Sequence, residues 1–281
     1  TNTTEENNDL DGTNSSATGR ETITTWKGEK ADGTVHELAS IVVGHDGTGN
    51  DKKGQFQFFV NEGTDSDGAL TKKFVIDTET EISFGNNDAG TSNVILGQLT
   101  GKSIASGGNY NTLIGIEAGE AITTADNNVA IGYQALEIAT TGGTNVAIGK
   151  QCLKDNTTGA YNTAIGLRAL WANTTGINNF AIGNQAMYTN TTGNANVALG
   201  GNALYGNTTG SYNVGIGLLA LEDNTTGTYN VAIGANTLQQ NTTGSQNVAI
   251  GQEALQNQTT AIQNVAIGYK SLEANTTGIN N

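Results

Sequence analysis

Carboxylates near the start of the chain are the first residues that could bind a ligand. The stretches HDGTGND (residues 45–51) and DSDG (residues 65–68) place aspartates among glycines, as calcium-binding loops do. Neither stretch has the ligand spacing of an EF-hand, and neither is followed by a Glu placed to bind calcium through both oxygens. Because Asp-Gly is also an ordinary hairpin turn, we predict turns at both places and no metal site.

The groups needed for catalysis do not come together in the sequence. His36 and His45 are the only histidines, and neither is paired with a recognisable nucleophile. Spacing alone does not exclude an acid pair for glycoside hydrolysis, but the acids from Asn128 onward are few and irregularly placed. They include Glu137, Asp155, Glu222, Asp223, Glu253 and Glu273. The segment NVGIGLLAL contains Gly-x-Gly, but it lacks the third glycine and the helix of a dinucleotide site. We therefore predict no enzymatic activity and no cofactor.

From Asn111 onward the sequence repeats every seventeen positions. Asn begins a repeat at residues 111, 128, 145, 162, 179, 196, 213, 230, 247 and 264. The repeat reads Asn, then usually Val, Ala, Ile and Gly at positions 2 to 5, a small residue at position 8, usually Leu at position 9, and usually Thr-Thr-Gly near its end. Glycine at position 5 and Thr-Thr-Gly would break a helix in every repeat, and seventeen residues are too few for a helix–turn–helix repeat. We therefore predict an all-β fold, a parallel β-solenoid (β-roll) with one coil per repeat, stacked at about 4.8 Å.

Stacking in register places each repeat position in a column along the solenoid. The leading Asn and the position-5 Gly form two such columns, which include Asn128, Asn145, Asn162, Gly132, Gly149 and Gly166. A column of Asn side chains can form an amide ladder, as in cross-β stacks. Glycine at a fixed place indicates a positive φ or a close backbone approach. We predict structural roles for both columns.

Strand alternation separates the remaining residues of Asn-Val-Ala-Ile-Gly into two faces. Val129 and Ile131, like Ile148 in the next repeat, point to one side, and Ala130 points to the other. We predict that the Val/Ile face fills the inside of the coil. The Ala/Gly face is apolar too, and a strand apolar on both faces is buried on both. We expect sister chains to cover it, in a homo-oligomer that we predict to be a trimer. The alternative is a monomeric solenoid with a bare Ala/Gly face.

Four further columns could carry binding or modification. Position 10 holds Trp171, Tyr188 and Tyr205 in successive repeats, a strip that could bind sugar rings or could simply be an aromatic ladder. Regular Thr rows can bind ice, but the two adjacent Thr residues favour a turn. Cys152 stands at the small position 8, so we predict a buried, inert thiol. Glycosylation sequons recur with the period of the turn, which favours a structural role. They begin at Asn156, Asn173, Asn190, Asn207, Asn224, Asn241 and Asn275.

The sequence before the repeats divides into shorter regions. Residues 1–19 are polar and acidic and are predicted to be a disordered or linker arm. Residues 20–92 alternate strand and turn patterns, which predicts a small antiparallel β module. Residues 93–110 form a degenerate eighteen-residue repeat, typical of a cap coil, before the regular repeats of 111–281.

Composition limits the partners and the setting. The chain has 281 residues, 39 of them Gly, with one Cys and a formal charge of −14. Without a basic face it is not expected to bind nucleic acid or anionic membranes, and its apolar runs are too short to span a bilayer. Because the only Met is Met187, we expect a piece of a longer or processed protein.

The repeats resemble those of two families of fibrous proteins. The NVAIG motif is similar to the head repeats of trimeric autotransporter adhesins, which form trimeric β-rolls. The longer NVAIGKQCLKDNTTGAY resembles repeats of phage tail-fibre proteins, and residues 19–63 look like a domain that precedes such repeats. These resemblances imply an extracellular structural segment of a virion fibre that projects a host-receptor-binding tip. The alternative they leave open is a bacterial surface adhesin or extracellular fibre whose wall binds host glycan or matrix.

Overall fold

The computed structural model describes residues 92–281 and, before them, the backbone of six strands. These are β1 Glu5–Asn8, β2 Glu21–Glu29, β3 Val35–His45, β4 Gly54–Val60, β5 Thr71–Asp77 and β6 Ile82–Ser83. The chain divides into two compact units, Thr1–Asn87 and Asp88–Asn281. Residues 46–51 and 65–68, where turns are predicted, lie outside the described residues, as do the side chains of His36 and His45.

The strands of the first unit pair antiparallel in chain order, from β1 to β6. Strand β1 lies within residues 1–19, which we expected to be a disordered or linker arm, and it pairs with β2 from Glu5↔Thr25 to Asn8↔Thr22. This pairing uses main-chain groups alone, so a polar composition does not exclude it. The remaining residues of that segment are outside the described part of the chain.

The second unit is a parallel β-solenoid, as the repeat predicts. Each coil contributes one three-residue strand at repeat positions 2 to 4, and the eleven strands form one parallel sheet in chain order. They are β7 Val94–Leu96, β8 Thr112–Ile114, β9 Val129–Ile131, β10 Val146–Ile148, β11 Thr163–Ile165, β12 Phe180–Ile182, β13 Val197–Leu199, β14 Val214–Ile216, β15 Val231–Ile233, β16 Val248–Ile250 and β17 Val265–Ile267. Partners are one repeat apart, so that Ala147 pairs with Ala130 on one side and Ala164 on the other. The described part of the chain contains no helix.

The faces of these strands are the reverse of what we predicted. Ala130 is fully buried, whereas Val129 and Ile131 on either side of it are partly exposed, and the same pattern holds around Ala147 with Val146 and Ile148. The Ala side therefore faces the inside of the coil and the Val/Ile side faces out.

The width of the coil explains this reversal. A Cβ placed on Gly215, which occupies position 3, would lie 3.4 Å from Cγ of Leu204, a position-9 residue of the preceding coil. The inside is thus filled by the position-9 side chains, and opposite them there is room for little more than a methyl group. The buried core consists mainly of positions 3, 8 and 9, for example Ala198, Ala203 and Leu204.

Candidate functional site

The leading Asn side chains form the predicted ladder, and they are buried. Oδ1 of Asn196 accepts hydrogen bonds from the backbone N–H of Asn213 at 2.9 Å and from its Nδ2 at 3.2 Å. Nδ2 of Asn196 donates to Oδ1 of Asn179 at 3.2 Å and to the carbonyl oxygen of Gly210 at 2.8 Å. The same backbone-to-Oδ1 bond joins Asn145 to Asn128 and Asn162 to Asn145. The column therefore satisfies buried polar groups in every coil.

A second buried ladder runs through repeat position 12, where the glycosylation sequons begin. Nδ2 of Asn190 donates to Oδ1 of Asn173 at 2.8 Å and to the carbonyl oxygen of Gly193 at 3.1 Å. Asn156, Asn173, Asn190, Asn207, Asn224 and Asn241 are all fully buried. The nitrogen that would carry a glycan is already a hydrogen-bond donor inside the coil, which agrees with the structural role predicted for these sequons.

The position-5 glycines meet both conditions expected of them. Gly132, Gly149 and Gly166 have φ values of 134°, 130° and 128°, which L side chains rarely adopt. A Cβ on Gly132 would lie 2.6 Å from the carbonyl oxygen of Gly149, and a Cβ on Gly149 would lie 2.6 Å from that of Gly166. The glycine column thus lets successive backbones touch.

The aromatic side chains at position 10 stack on one another. The ring centroids of Trp171 and Tyr188 are 5.1 Å apart, and those of Tyr188 and Tyr205 are 5.2 Å apart, with nearly parallel planes. Tyr188 therefore has a ring over each of its faces. Sugar binding by aromatic side chains uses an exposed ring face, so this geometry favours the ladder interpretation. The glycan interpretation of the strip stays a prediction.

A second aromatic pair was missed by the sequence analysis. Tyr212 and Tyr229, at position 17 of successive repeats, stack with centroids 4.9 Å apart and are 54% and 56% exposed. The signal was present in the sequence as two tyrosines one repeat apart. Position 17 has a positive φ throughout, for example 60° at Tyr212, so its side chain projects from a turn.

Three glutamates, Glu117, Glu120 and Glu137, bring carboxylate oxygens within 4.8 Å of one another. Each has a protein partner. Gln134 donates to Glu117 at 2.8 Å, Lys102 lies 3.4 Å from Glu120, and Lys154 lies 2.9 Å from Glu137. The hydrogen bond to Glu137 raises the pKa of Lys154. Two lysines and one glutamine side chain already contact these carboxylates. The closeness of the three glutamates therefore does not by itself indicate a metal ion.

Cys152 is fully buried at position 8, where its Sγ faces the carbonyl oxygen of Gly166. Burial raises the pKa of the Cys152 thiol to about 11. The thiolate, which is the reactive form, is therefore suppressed. This agrees with the inert thiol predicted from the sequence.

We expect Cys152 to resist thiol reagents at pH 8 as long as the rod is folded, and to react fully once the protein is unfolded in guanidinium. The measurement is the time course of labelling with an aromatic disulfide reagent, with circular dichroism recorded in parallel. Rapid labelling with the β-sheet signal unchanged would contradict the buried position.

The sides of the coil differ in charge. From Asn128 onward every charged residue stands at repeat position 6, 7, 10 or 11. We call positions 6–11 the charged segment, positions 2–4 the strand segment, and positions 13–16 the TTG segment. The strand and TTG segments carry no charge in nine successive coils.

The strand segment also carries exposed apolar side chains. Val94, Phe180, Ile250 and Ile267 are 44%, 39%, 37% and 68% exposed.

No family model, no curated protein and no solved structure matches the chain. In residues 92–281 and the six earlier strands, no helix is long and apolar enough to cross a membrane.

Proposed function

We propose that this chain is a structural segment of an extracellular fibre in which three copies pack side by side, and that the fibre belongs to a virion and projects a receptor-binding tip. The observation that carries the proposal is the strand segment, a continuous column of partly or largely exposed side chains, mostly Val and Ile, without a single charge from Asn128 onward. The virion setting rests on the resemblance of the repeats to tail-fibre repeats.

The interior of the rod suits a mechanical role. Every coil is hydrogen-bonded to the next through its strand, and two Asn ladders add side-chain bonds across the same gaps. A stack of eleven coils is about 50 Å long at the spacing of β-strands. Such a rod resists bending and proteolysis without disulfides, because few backbone groups are free to open locally.

Packing between copies follows from the exposed apolar columns. Apolar surface removed from water contributes about 25 cal/mol per Å². An uncharged face can be buried against a sister chain without desolvating ions, whereas the charged segment is better left in water. Three copies would turn their strand segments toward one another and leave their charged segments outside.

We expect native mass spectrometry and sedimentation to give a trimer. Phe180→Lys, in the strand segment, should weaken assembly by about 3 kcal/mol or more per trimer, because each chain would bury an unpaired charge. Asn184→Lys is the matched control, since Asn184 is exposed at position 6 of the same coil. A parent protein that stays monomeric at high concentration, or equal effects of the two variants, would contradict the proposal.

A further inference from the structure

The two threonines of the Thr-Thr-Gly turn have different roles. The first, at position 13, is half-buried, and its hydroxyl donates to the carbonyl oxygen of the same position in the next coil. Thr174 bonds to Thr191 and Thr191 to Thr208 in this way, each at 3.0 Å. The second, at position 14, is exposed in every coil from Thr124 to Thr277. Among the described residues, no position-14 hydroxyl hydrogen-bonds to another protein group.

The backbone holds the position-14 side chains in a regular row with one residue per coil. The N–H groups of Thr191 and Thr192 donate to the carbonyl oxygen of Thr208, at 2.9 Å and 3.3 Å, and the next coils repeat the pattern. Neighbouring hydroxyls are therefore set one coil apart, at about 4.8 Å, the spacing of β-strands. This spacing is close to the oxygen repeat along one axis of hexagonal ice. Ten successive coils present the row.

A second row runs beside the first at position 16. Gly210, between positions 14 and 16 of one coil, is buried, so Thr209 and Ser211 project outward on either side of it. The next coils place Thr228 and Ser245 in this second row, and the row also contains Ile177 and Ile262. The second row is mixed, since it also contains Gly143, Ala160, Asn194 and Ile279. The hydroxyls of Ser211 and Ser245 accept hydrogen bonds from the backbone N–H groups of Asn194 and Thr228, each at 3.0 Å. The regular row of free hydroxyls is therefore the one at position 14, on a surface that carries no charge from Asn128 onward.

From this geometry we propose that the TTG segment binds ice. Each position-14 hydroxyl has one donor and two acceptor sites left for water, and its methyl group limits the directions from which water approaches. A rigid row with the lattice repeat can hold water molecules already in an ice-like arrangement. The match extends over the whole row, so many weak contacts add up in one bound surface.

Other occupants fit this segment less well. A second copy of the chain would prefer the strand segment, whose exposed Val and Ile offer more apolar surface than Thr and Ser. A charged ligand would need a countercharge, and the TTG segment provides none. Ice binding is therefore independent of the fibre proposal, which uses a different part of the coil.

The test is thermal hysteresis and inhibition of ice recrystallisation by the intact protein. We expect the parent to show both, and Thr192→Tyr combined with Thr209→Tyr to abolish them, because two bulky rings would lift the surface off the lattice. Asn184→Tyr is the control, since position 6 already carries tyrosine at Tyr133 and Tyr269. Circular dichroism and melting temperature report whether each variant still folds.

Absence of hysteresis and of recrystallisation inhibition in the folded parent would overturn ice binding, whatever its oligomeric state. Equal loss of activity in Asn184→Tyr and in the Thr variant would overturn the assignment to the TTG segment. A monomer that binds ice would contradict only the fibre proposal, and a trimer that does not bind ice would contradict only this one.

Discussion

Replacing Gly200 by Ala is expected to lower the free energy of unfolding of the rod by about 3 kcal/mol or more. Gly200 has a φ of 138°, which an L residue rarely adopts. The added Cβ would also contact the carbonyl oxygen of Gly217 and lie 2.7 Å from its carbonyl carbon. Neither backbone can retreat, because each is hydrogen-bonded to coils on both sides. The measurement is denaturant unfolding followed by far-ultraviolet circular dichroism.

The neighbouring glycine provides the control. Gly201 lacks the positive φ of Gly200, and a Cβ placed on it would meet only Cδ1 of Leu218, at 3.4 Å. We expect Gly201→Ala to be close to neutral. Because solenoid coils stabilise one another through their neighbours, the effect of Gly200→Ala should spread to adjacent coils. If the two alanine variants unfolded at the same denaturant concentration, the close approach at position 5 would not be a stabilising feature.

The period of the sequence was enough to predict the strands, their parallel pairing and their register. Repeats of equal length stack in register by placing each position above itself, so the pairing of Ala147 with Ala130 follows from spacing alone. The same logic found the Asn ladder and the close approach of the position-5 glycines. These predictions need only the same residue type at the same position of neighbouring coils, and the repeat shows this recurrence directly.

The orientation of the strand could not be obtained in this way. Alternation shows that Val129 and Ala130 point to opposite sides, but it does not say which side is inside. The answer depends on the position-9 residues, which fill the coil from a left-handed backbone conformation, such as Leu204 with a φ of 54°. Leucine rarely adopts this conformation, so no sequence pattern predicts it. The reversal moves the predicted contact between chains from the Ala/Gly face to the Val/Ile face.

For the candidate sites too, the sequence predicted which residues align along the solenoid but not which of their groups are accessible. Adjacent threonines look equivalent in the sequence, yet Thr191 closes the turn while Thr192 faces solvent. The aromatic column was predicted from spacing, but the ring planes, which decide whether a face is free for a sugar, were not. Which residues share a column is encoded by the period. Which groups of a column remain available depends on the turn geometry.

Asn196→Asp is expected to destabilise the rod by about 3 kcal/mol or more at pH 7, and by less in acid. The aspartate has the shape of Asn, and it still accepts the two hydrogen bonds from Asn213. It cannot replace the Nδ2 donor, so its carboxylate would face Oδ1 of Asn179 and the carbonyl oxygen of Gly210 in a buried site. Burial and these oxygens together raise the pKa of the new carboxyl in the folded state.

The sign of the pH dependence follows from linkage. An unfolded aspartate has a pKa of about 3.9. Below that pH both states are protonated, and the carboxyl can donate one of the two missing hydrogen bonds, so the loss of stability is smallest. As the pH rises, the unfolded state releases its proton first, and the variant loses stability until the folded pKa is reached. Unfolding of parent and variant should therefore be compared at pH 3 and pH 7.

Asn184→Asp makes the same chemical change on the exposed side of the neighbouring coil. Its carboxylate remains in water, so its stability should track the parent at both pH values. The buried ladder requires the Asn196 variant to separate from this control as the pH rises. Parallel behaviour of the two variants would mean that water reaches the ladder, and the rod would then owe its stability to its strands and apolar core alone.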